Sequence, residues 1–404
     1  MVEMNHKPPA IILGCHKAGL GIIRALGEAK VPVVGIYYNK LDMGFVSKFV
    51  VSHYLFPHPD TRETEFTEKL LGLTSKWGGG VLIPSDDATL VHVSRNKELL
   101  EEKYKVVAPS WEITEKFIEK KYTYSLAEKI GVAAPKTRTP QNLNEVKDFA
   151  KVVGFPCIIK PSIGHSFYEI FKKKMIFAET IYALEEAYKI TADSGAEMMI
   201  QEYIPGDDQS GANYNSFFFD NKPVFEMTAQ KVRLSPPKTG FPRVVVSRSI
   251  PDIIYPGRKI LNGLGYNGFS CTEFKKDARD GKYKLMEVNG RLNLSSILSY
   301  KCGVNFALIA YRQALGFKLP ELPIATDKEV YWIDIGRDLI ETVKNYKREN
   351  ISIREYVKPY YKKNIFTVLS IKDPMPFLKR SLDILNSIPK YIYNKTVKKI
   401  CIRS

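Results

Sequence analysis

No apolar run in the 404-residue sequence approaches the length of about 18 that a membrane-spanning helix needs. The opening stretch, MVEMNHKPPAIILGCHKAG, carries Glu3 early and only a short apolar run at Ala10–Leu13, so it reads as neither a secretion signal nor a span. Cysteine is scarce: Cys15, Cys157, Cys271, Cys302 and Cys401 are odd in number, far apart and without any CxxC. That usage argues against a disulfide framework or structural zinc and for a reducing compartment, and a cytoplasmic location is expected. There is no Ser/His/Asp pattern to suggest a covalent nucleophile. The G-x-G-x-x-G fingerprint of dinucleotide sites is missing too, since the first glycines, Gly14, Gly19 and Gly21, run G-x4-G-x-G. They permit a tight strand-to-helix turn, with room for a polar substrate there.

What is present is an ordinary globular composition, 44% apolar and 26% charged, long enough for two or three domains. The formal charge of +16 is uneven: from Lys358 onward eleven basic residues face Asp373 and Asp383, 11 − 2 = +9. The basicity is therefore assigned to an appendix rather than to the fold. Its tyrosines, among them Tyr356, Tyr360, Tyr361, Tyr391 and Tyr393, match no RNA or DNA module, and no nucleic-acid partner is expected. Leu378, Leu382, Leu385 and Ile388 recur at helical spacing beside Lys379, Arg380 and Lys390. The stretch 373–404 reads either as a contact with an anionic membrane or lipid-linked substrate, or as a stripe packed on the body.

Along the chain, residues 10–39 read as a βαβ unit and 78–100 as a strand and helix with Ser85 or Asp86 as N-cap; Asp86 or Asp87 also suits a substrate at a strand end. A helical stretch at 110–132 stops at Gly131. In GFPCIIKP the apolar strand ends in Lys160, and in AEMMIQEYIPGDDQ an apolar strand runs into Glu202, Tyr203 and Ile204 before Pro205 turns it outward.

YKLMEVNGRLNLSS places Glu287, Asn289 and Arg291 two apart, on one face of a strand. Asn289-Gly290 alone would serve as a hairpin turn, but a hairpin lies just upstream. With Gly281 left-handed in a three-residue loop, Glu273 falls opposite Glu287. Facing carboxylates repel unless a cation lies between them, so Glu273, Glu287 and Asn289 read as a magnesium site with phosphate in its shell, and Arg291 faces the phosphates.

In their order these segments resemble the ATP-grasp superfamily over residues 10–315, and its carboxylate–amine ligases in particular. The resemblance implies an α/β fold: a Rossmann-like N-terminal domain (1–110), a two-part ATP-grasp unit (111–195 and 196–325, the latter with the metal site) and a basic C-terminal extension (326–404). It implies ATP with Mg²⁺, or Mn²⁺ in its place, on Glu273, Glu287 and Asn289. The ATP lysines would be Lys121, with Lys120 fitting nearly as well, and Lys160. Glu202, Tyr203 and Ile204 would form the adenine hinge and Asp208 would approach the ribose. Ser162, Gly164, His165 and Ser166 would lie in the phosphate loop. Lys231 and Arg233, on one strand face, would act with Arg291 on the transferring group, unless they are solvated charges. The implied activity is amide formation through an acyl phosphate, on an amino acid, peptide or cell-envelope precursor, by a chain that can form homo-oligomers. The alternatives are a bicarbonate-activating carboxylase-type enzyme and a non-catalytic nucleotide-binding scaffold that docks an acidic partner.

Overall fold

The computed structural model describes residues 7–161, 175–195, 197–294, 296–319, 328–349 and 351–386. The expected phosphate loop (Ser162, Gly164, His165, Ser166) and residues 387–404 lie outside them. Three sheets organise the chain. The first is parallel: β1 (Ala10–Leu13), β2 (Val33–Tyr37), β3 (Val50–Leu55), β4 (Val81–Pro84) and β5 (Lys105–Val106), in the order β3-β2-β1-β4-β5. Its central strands are continuous apolar runs because helices cover both faces, and Ala10–Leu13 is wholly buried. The strand order reverses between β1 and β4, which opens a crevice at their carboxyl ends. Gly19 holds that turn close: a Cβ there would lie 1.9 Å from the Gly14 carbonyl oxygen.

The second sheet is antiparallel, β6 (Thr137–Arg138), β7 (Cys157–Pro161), β8 (Ile176–Ala178) and β9 (Met198–Glu202), ordered β6-β9-β7-β8. Helices Leu143–Val153 and Ile181–Asp193 bury Val146, Phe149 and Leu184 against it. The third sheet has seven strands: β10 (Gly211–Phe219), β11 (Lys222–Ser235), β12 (Phe241–Ser247), β13 (Gly268–Lys276), β14 (Tyr283–Asn289), β15 (Tyr331–Ile333) and β16 (Asn364–Phe366). Their order is β14-β13-β10-β11-β12-β15-β16.

The boundaries drawn from sequence shift in three places. β9 belongs to the second sheet although it lies beyond residue 195. Helices Trp111–Ile118 and Lys120–Lys129 pack Phe117 and Ala127 into the core of the third sheet, with Tyr214, Phe218 and Leu285, rather than onto the second. The described part of the C-terminal region is built into the fold: β15 and β16 complete the third sheet, and Trp332 and Ile333 are fully buried. The first and third sheets share a core in which Ile22, Ile23 and Leu26 meet Leu292, Phe306 and Ala310. Among the described residues no helix is long and apolar enough to cross a membrane.

Candidate active site

The β13–β14 hairpin carries the expected pairing. Glu273 lies opposite Glu287 and Cys271 opposite Asn289, with a register shift just after Glu273. The turn is one residue longer than expected: the Asp277 amide donates to the Lys282 carbonyl at 2.9 Å across Ala278–Gly281, with Gly281 at φ 71°, and sets Lys276 opposite Tyr283. The shift after Glu273 then makes up the difference and brings Glu287 rather than Met286 opposite it. Each carboxylate has its own lysine. Lys231 from β11 bonds Glu273, and the Lys120 ammonium lies 3.2 Å from Glu287. The Asn289 carboxamide nitrogen approaches Glu273 Oε1 at 3.4 Å.

Burial alone would raise the Glu287 carboxyl, but the charge and hydrogen bond of Lys120, with Arg291 adding, hold it down to about 2. Burial likewise lowers Lys231, and the Glu273 carboxylate more than offsets it, leaving that lysine raised. Lys160 differs. It is buried at the end of β7 with a neutral partner, the Gln201 side-chain oxygen at 2.6 Å. Burial first, then the charge of Lys120, pulls it down to about 7, against the opposing pull of Glu287.

These groups form a patch of ammonium groups around two carboxylates. Among the described residues no three His, Cys, Asp or Glu side chains gather as a metal cage. Two carboxylates and a carboxamide suit a hard divalent cation that completes its shell with phosphate oxygen and water, and the surrounding lysines suit the phosphates.

Three candidate residues stand elsewhere. Lys121 is turned away, pairing with Glu119 at 3.1 Å and Glu197 at 3.0 Å, so Lys120 is the lysine at the carboxylates. Arg233 does not share the Lys231 face. A β-bulge between Lys231 and Arg233 interrupts the alternation, and Arg233 is buried in a two-pronged pair with Asp338 at 2.9 and 2.7 Å. Asp208, in the turn before β10, is committed to backbone: its carboxylate accepts from the Leu234 amide at 2.7 Å and from the Lys238 amide, which ties it to the β11–β12 turn. At the hinge, Glu202 accepts from the Lys136 amide at 3.0 Å and from Arg279 at 2.6 Å, Ile204 is buried, and the Tyr203 ring lies 5.4 Å from Phe177 with the Lys275 ammonium over it.

Arg291 reaches across to the first sheet, bonding Asp87 at 2.9 and 3.2 Å. This brings the crevice between β1 and β4 to the carboxylate pair. Asp86 caps helix Asp87–Arg95 through the Thr89 amide and accepts from Tyr38 and from His16 Nε2, the latter at 3.1 Å. Burial would raise Asp86, but these hydrogen bonds and the proximity of His16 hold it below its ordinary value. His16 is the site residue that sequence reasoning missed; its only signal is its position after Gly14 and Cys15 at the end of β1. Ser85 Oγ also lies 3.2 Å from His16 Nε2, yet this is no nucleophilic triad. His16 Nδ1 accepts from the Ala18 amide, so Ser85 and Asp86 converge on the same nitrogen and no relay runs between them. Behind Gly290–Leu292 a cavity of about 600 Å³ is walled by Val107, Pro109, Phe219 and Phe269.

The family model described as carbamoyl-phosphate synthase L chain, ATP binding domain, matches residues 244–322, the stretch that holds the carboxylate pair. A D-aspartate ligase from Enterococcus faecium is 25% identical over 362 residues, 84% of this chain and 85% of that one. Among solved structures, the biotin carboxylase of Campylobacter jejuni superposes with a TM-score of 0.64 at 16% identity, over 78% of this chain and 72% of that one. An L-amino acid ligase from Bacillus licheniformis gives 0.60 at 17%, over 77% and 74%. In sequence and in its three-sheet architecture the chain is thus similar to ATP-grasp ligases and carboxylases.

Proposed function

We propose that the protein is an ATP-dependent carboxylate–amine ligase. The observation that carries this reading is the opposed pair Glu273 and Glu287, each matched by a lysine, beside Asn289 and within reach of Arg291 and Lys160. Glu273, Glu287 and Asn289 would hold Mg²⁺ or Mn²⁺. Bound there, the metal would supply charge neutralisation between the phosphates. Lys120 and Lys160 would hold phosphate oxygens, and the backbone of Glu202 and Ile204 would hold the adenine edge beside Tyr203.

A carboxylate is a poor acyl donor because its leaving group would be oxide. A carboxylate oxygen therefore attacks the terminal phosphorus of ATP and ADP leaves; the amine then attacks the carbonyl carbon of the acyl phosphate, a proton is lost and phosphate departs. The chain's part is positioning and charge. Lys231, beside Glu273, would act on the transferring group, and Arg291 would hold the β1–β4 crevice against the site through Asp87. That crevice, with His16, Tyr38 and Asp86, would present the organic substrate. The D-aspartate ligase similarity supports an amino acid as one substrate.

The test is ADP release measured over pairs of amino acids and short peptides, with hydroxylamine as a surrogate amine. A hydroxamate formed with one acid is expected. ADP release that depends on bicarbonate and yields no hydroxamate would overturn the amide-forming reading in favour of bicarbonate activation, and absence of all turnover would favour the nucleotide-binding scaffold.

A further inference from the structure

Residues 375–386 are helical, and their apolar stripe faces outward. Met375, Leu378, Leu382 and Leu385 share one side of the helix and are 50%, 49%, 58% and 60% exposed, and Ile371 just before it is 97% exposed. The opposite side holds the helix to the body: Phe377 packs on Leu20, Met43 and Val368, and Lys379 donates to the Lys40 carbonyl at 2.9 Å. Its root is fixed by a buried cluster in which Asp373 accepts from Arg24 at 2.9 Å, from Ser47 at 2.9 Å and from the Lys48 amide at 3.0 Å. The stripe is thus displayed on a rigid mount and is not part of the core.

We infer that this stripe is a docking surface for an anionic membrane. Charge selects the occupant. From Ile371 to Ser404 the basic residues Lys372, Lys379, Arg380, Lys390, Lys395, Lys398, Lys399 and Arg403 face Asp373, which is buried on Arg24, and Asp383, which is paired with Lys379 at 2.8 Å. A second copy of the chain would bring two such cationic segments together and be repelled. An acidic protein would meet the charges but not the exposed stripe of leucines. A bilayer with anionic headgroups satisfies both, the apolar residues entering below the headgroups and the cations lying among them. The helix also lies against the first turn of helix Lys17–Gly27, through Phe377 on Leu20, four residues from His16. Docking would set the β1–β4 crevice close to the membrane plane.

The experiment is vesicle co-sedimentation of the full chain, with phosphatidylcholine alone and with added phosphatidylglycerol, at low and high salt. Binding to the anionic vesicles only, weakened at about 0.5 M salt, is expected. Leu378→Ser, Leu382→Ser and Leu385→Ser combined should reduce that binding about tenfold or more, with an unchanged melting temperature because the side chains are exposed. Four results would overturn the inference: no sedimentation at low salt; binding that the triple variant leaves intact, which assigns adhesion to charge alone; equal binding to polyglutamate, which assigns the surface to an acidic protein; or a dimer in light scattering that the triple variant abolishes. ADP release is not the readout, so this test and that of the ligase reading can fail separately.

Discussion

Glu273 and Glu287 stand directly opposite each other on neighbouring antiparallel strands, and each is neutralised by a lysine from a different element, Lys231 on β11 and Lys120 at the start of a helix. An arrangement of this kind is stable without a ligand and still offers two carboxylates to a cation. Glu287→Gln is therefore expected to lower Mg²⁺-dependent ADP formation by about a hundredfold or more while costing about 1 kcal/mol or less in stability. Near-normal turnover in a folded variant would remove the metal assignment.

Lys160 supplies a pH signature. With its ammonium held down to about 7, the free site loses this charge near neutrality, and a bound phosphate would draw the proton back. ATP affinity should be complete below pH 7 and fall as the pH rises through the higher value of the bound form. Isothermal titration from pH 6 to 9 checks this, and Lys160→Arg, which stays charged, should flatten the profile. The same depression destabilises the ligand-free fold: the cost is full below pH 7 and is relieved as the pH rises towards the ordinary lysine value. Lys160→Met should thus gain roughly 2 kcal/mol at pH 6.5 in denaturant titration, less near pH 10, and bind ATP poorly. An unchanged affinity would make the IIKP segment a strand end only.

Arg233 should behave as a structural residue. Asp338 is fully buried between Arg233 and Arg243 and also accepts from the Tyr360 hydroxyl at 2.6 Å. Asp338→Ala leaves two guanidinium groups without it and is expected to cost about 3–5 kcal/mol by urea denaturation. Arg233→Met should be destabilised as well, with ATP affinity within about twofold of the parent wherever it is folded, since the pair lies away from the carboxylates. A selective loss of turnover in a stable Arg233→Met protein would return it to the site.

The adjacent lysines give the sharpest contrast. Lys120→Ala removes the partner of Glu287 and should cut ADP formation by about a hundredfold. Lys121→Ala breaks only pairs with Glu119 and Glu197 on the outer face and should change turnover less than about threefold. Steady-state kinetics on the two proteins side by side decides which lysine the site uses.

The hairpin and its facing carboxylates were legible from the two-residue period and the left-handed Gly281, but the expected three-residue loop is a four-residue one, and an irregularity after Glu273, which no residue type announces, restores the pairing with Glu287. The β1–β4 crevice was legible as buried apolar strands followed by capping residues. Arg233 was misread because period two assumes an unbroken ladder, and nothing in QKVRLS announces the extra residue that turns it over. Lys120 and Lys121 differ by one position at a helix start, about 100° around the axis, and only packing against the third sheet chooses between them. β15 and β16 are three residues each, too short for a pattern, and their acidic anchors Asp334, Asp338 and Asp373 are hidden in a segment whose composition is basic. His16 takes part through Ser85 and Asp86, just after β4 and far from it in the chain.

The strand order of the third sheet has a bearing on how the chain must be made. β12 pairs on one side with β11, its immediate predecessor, and on the other with β15, which leaves the ribosome much later. Until then Val244–Val246 presents a raw hydrogen-bonding edge of buried-type residues, the kind of edge on which nascent chains associate. Translation that stops before Tyr331, or a gene shortened to the segment that the family model matches, would leave that edge open. Fragments of this protein should accordingly collect in inclusion bodies where the longer chain does not, and their yield should depend on chaperones that hold strands apart until synthesis catches up.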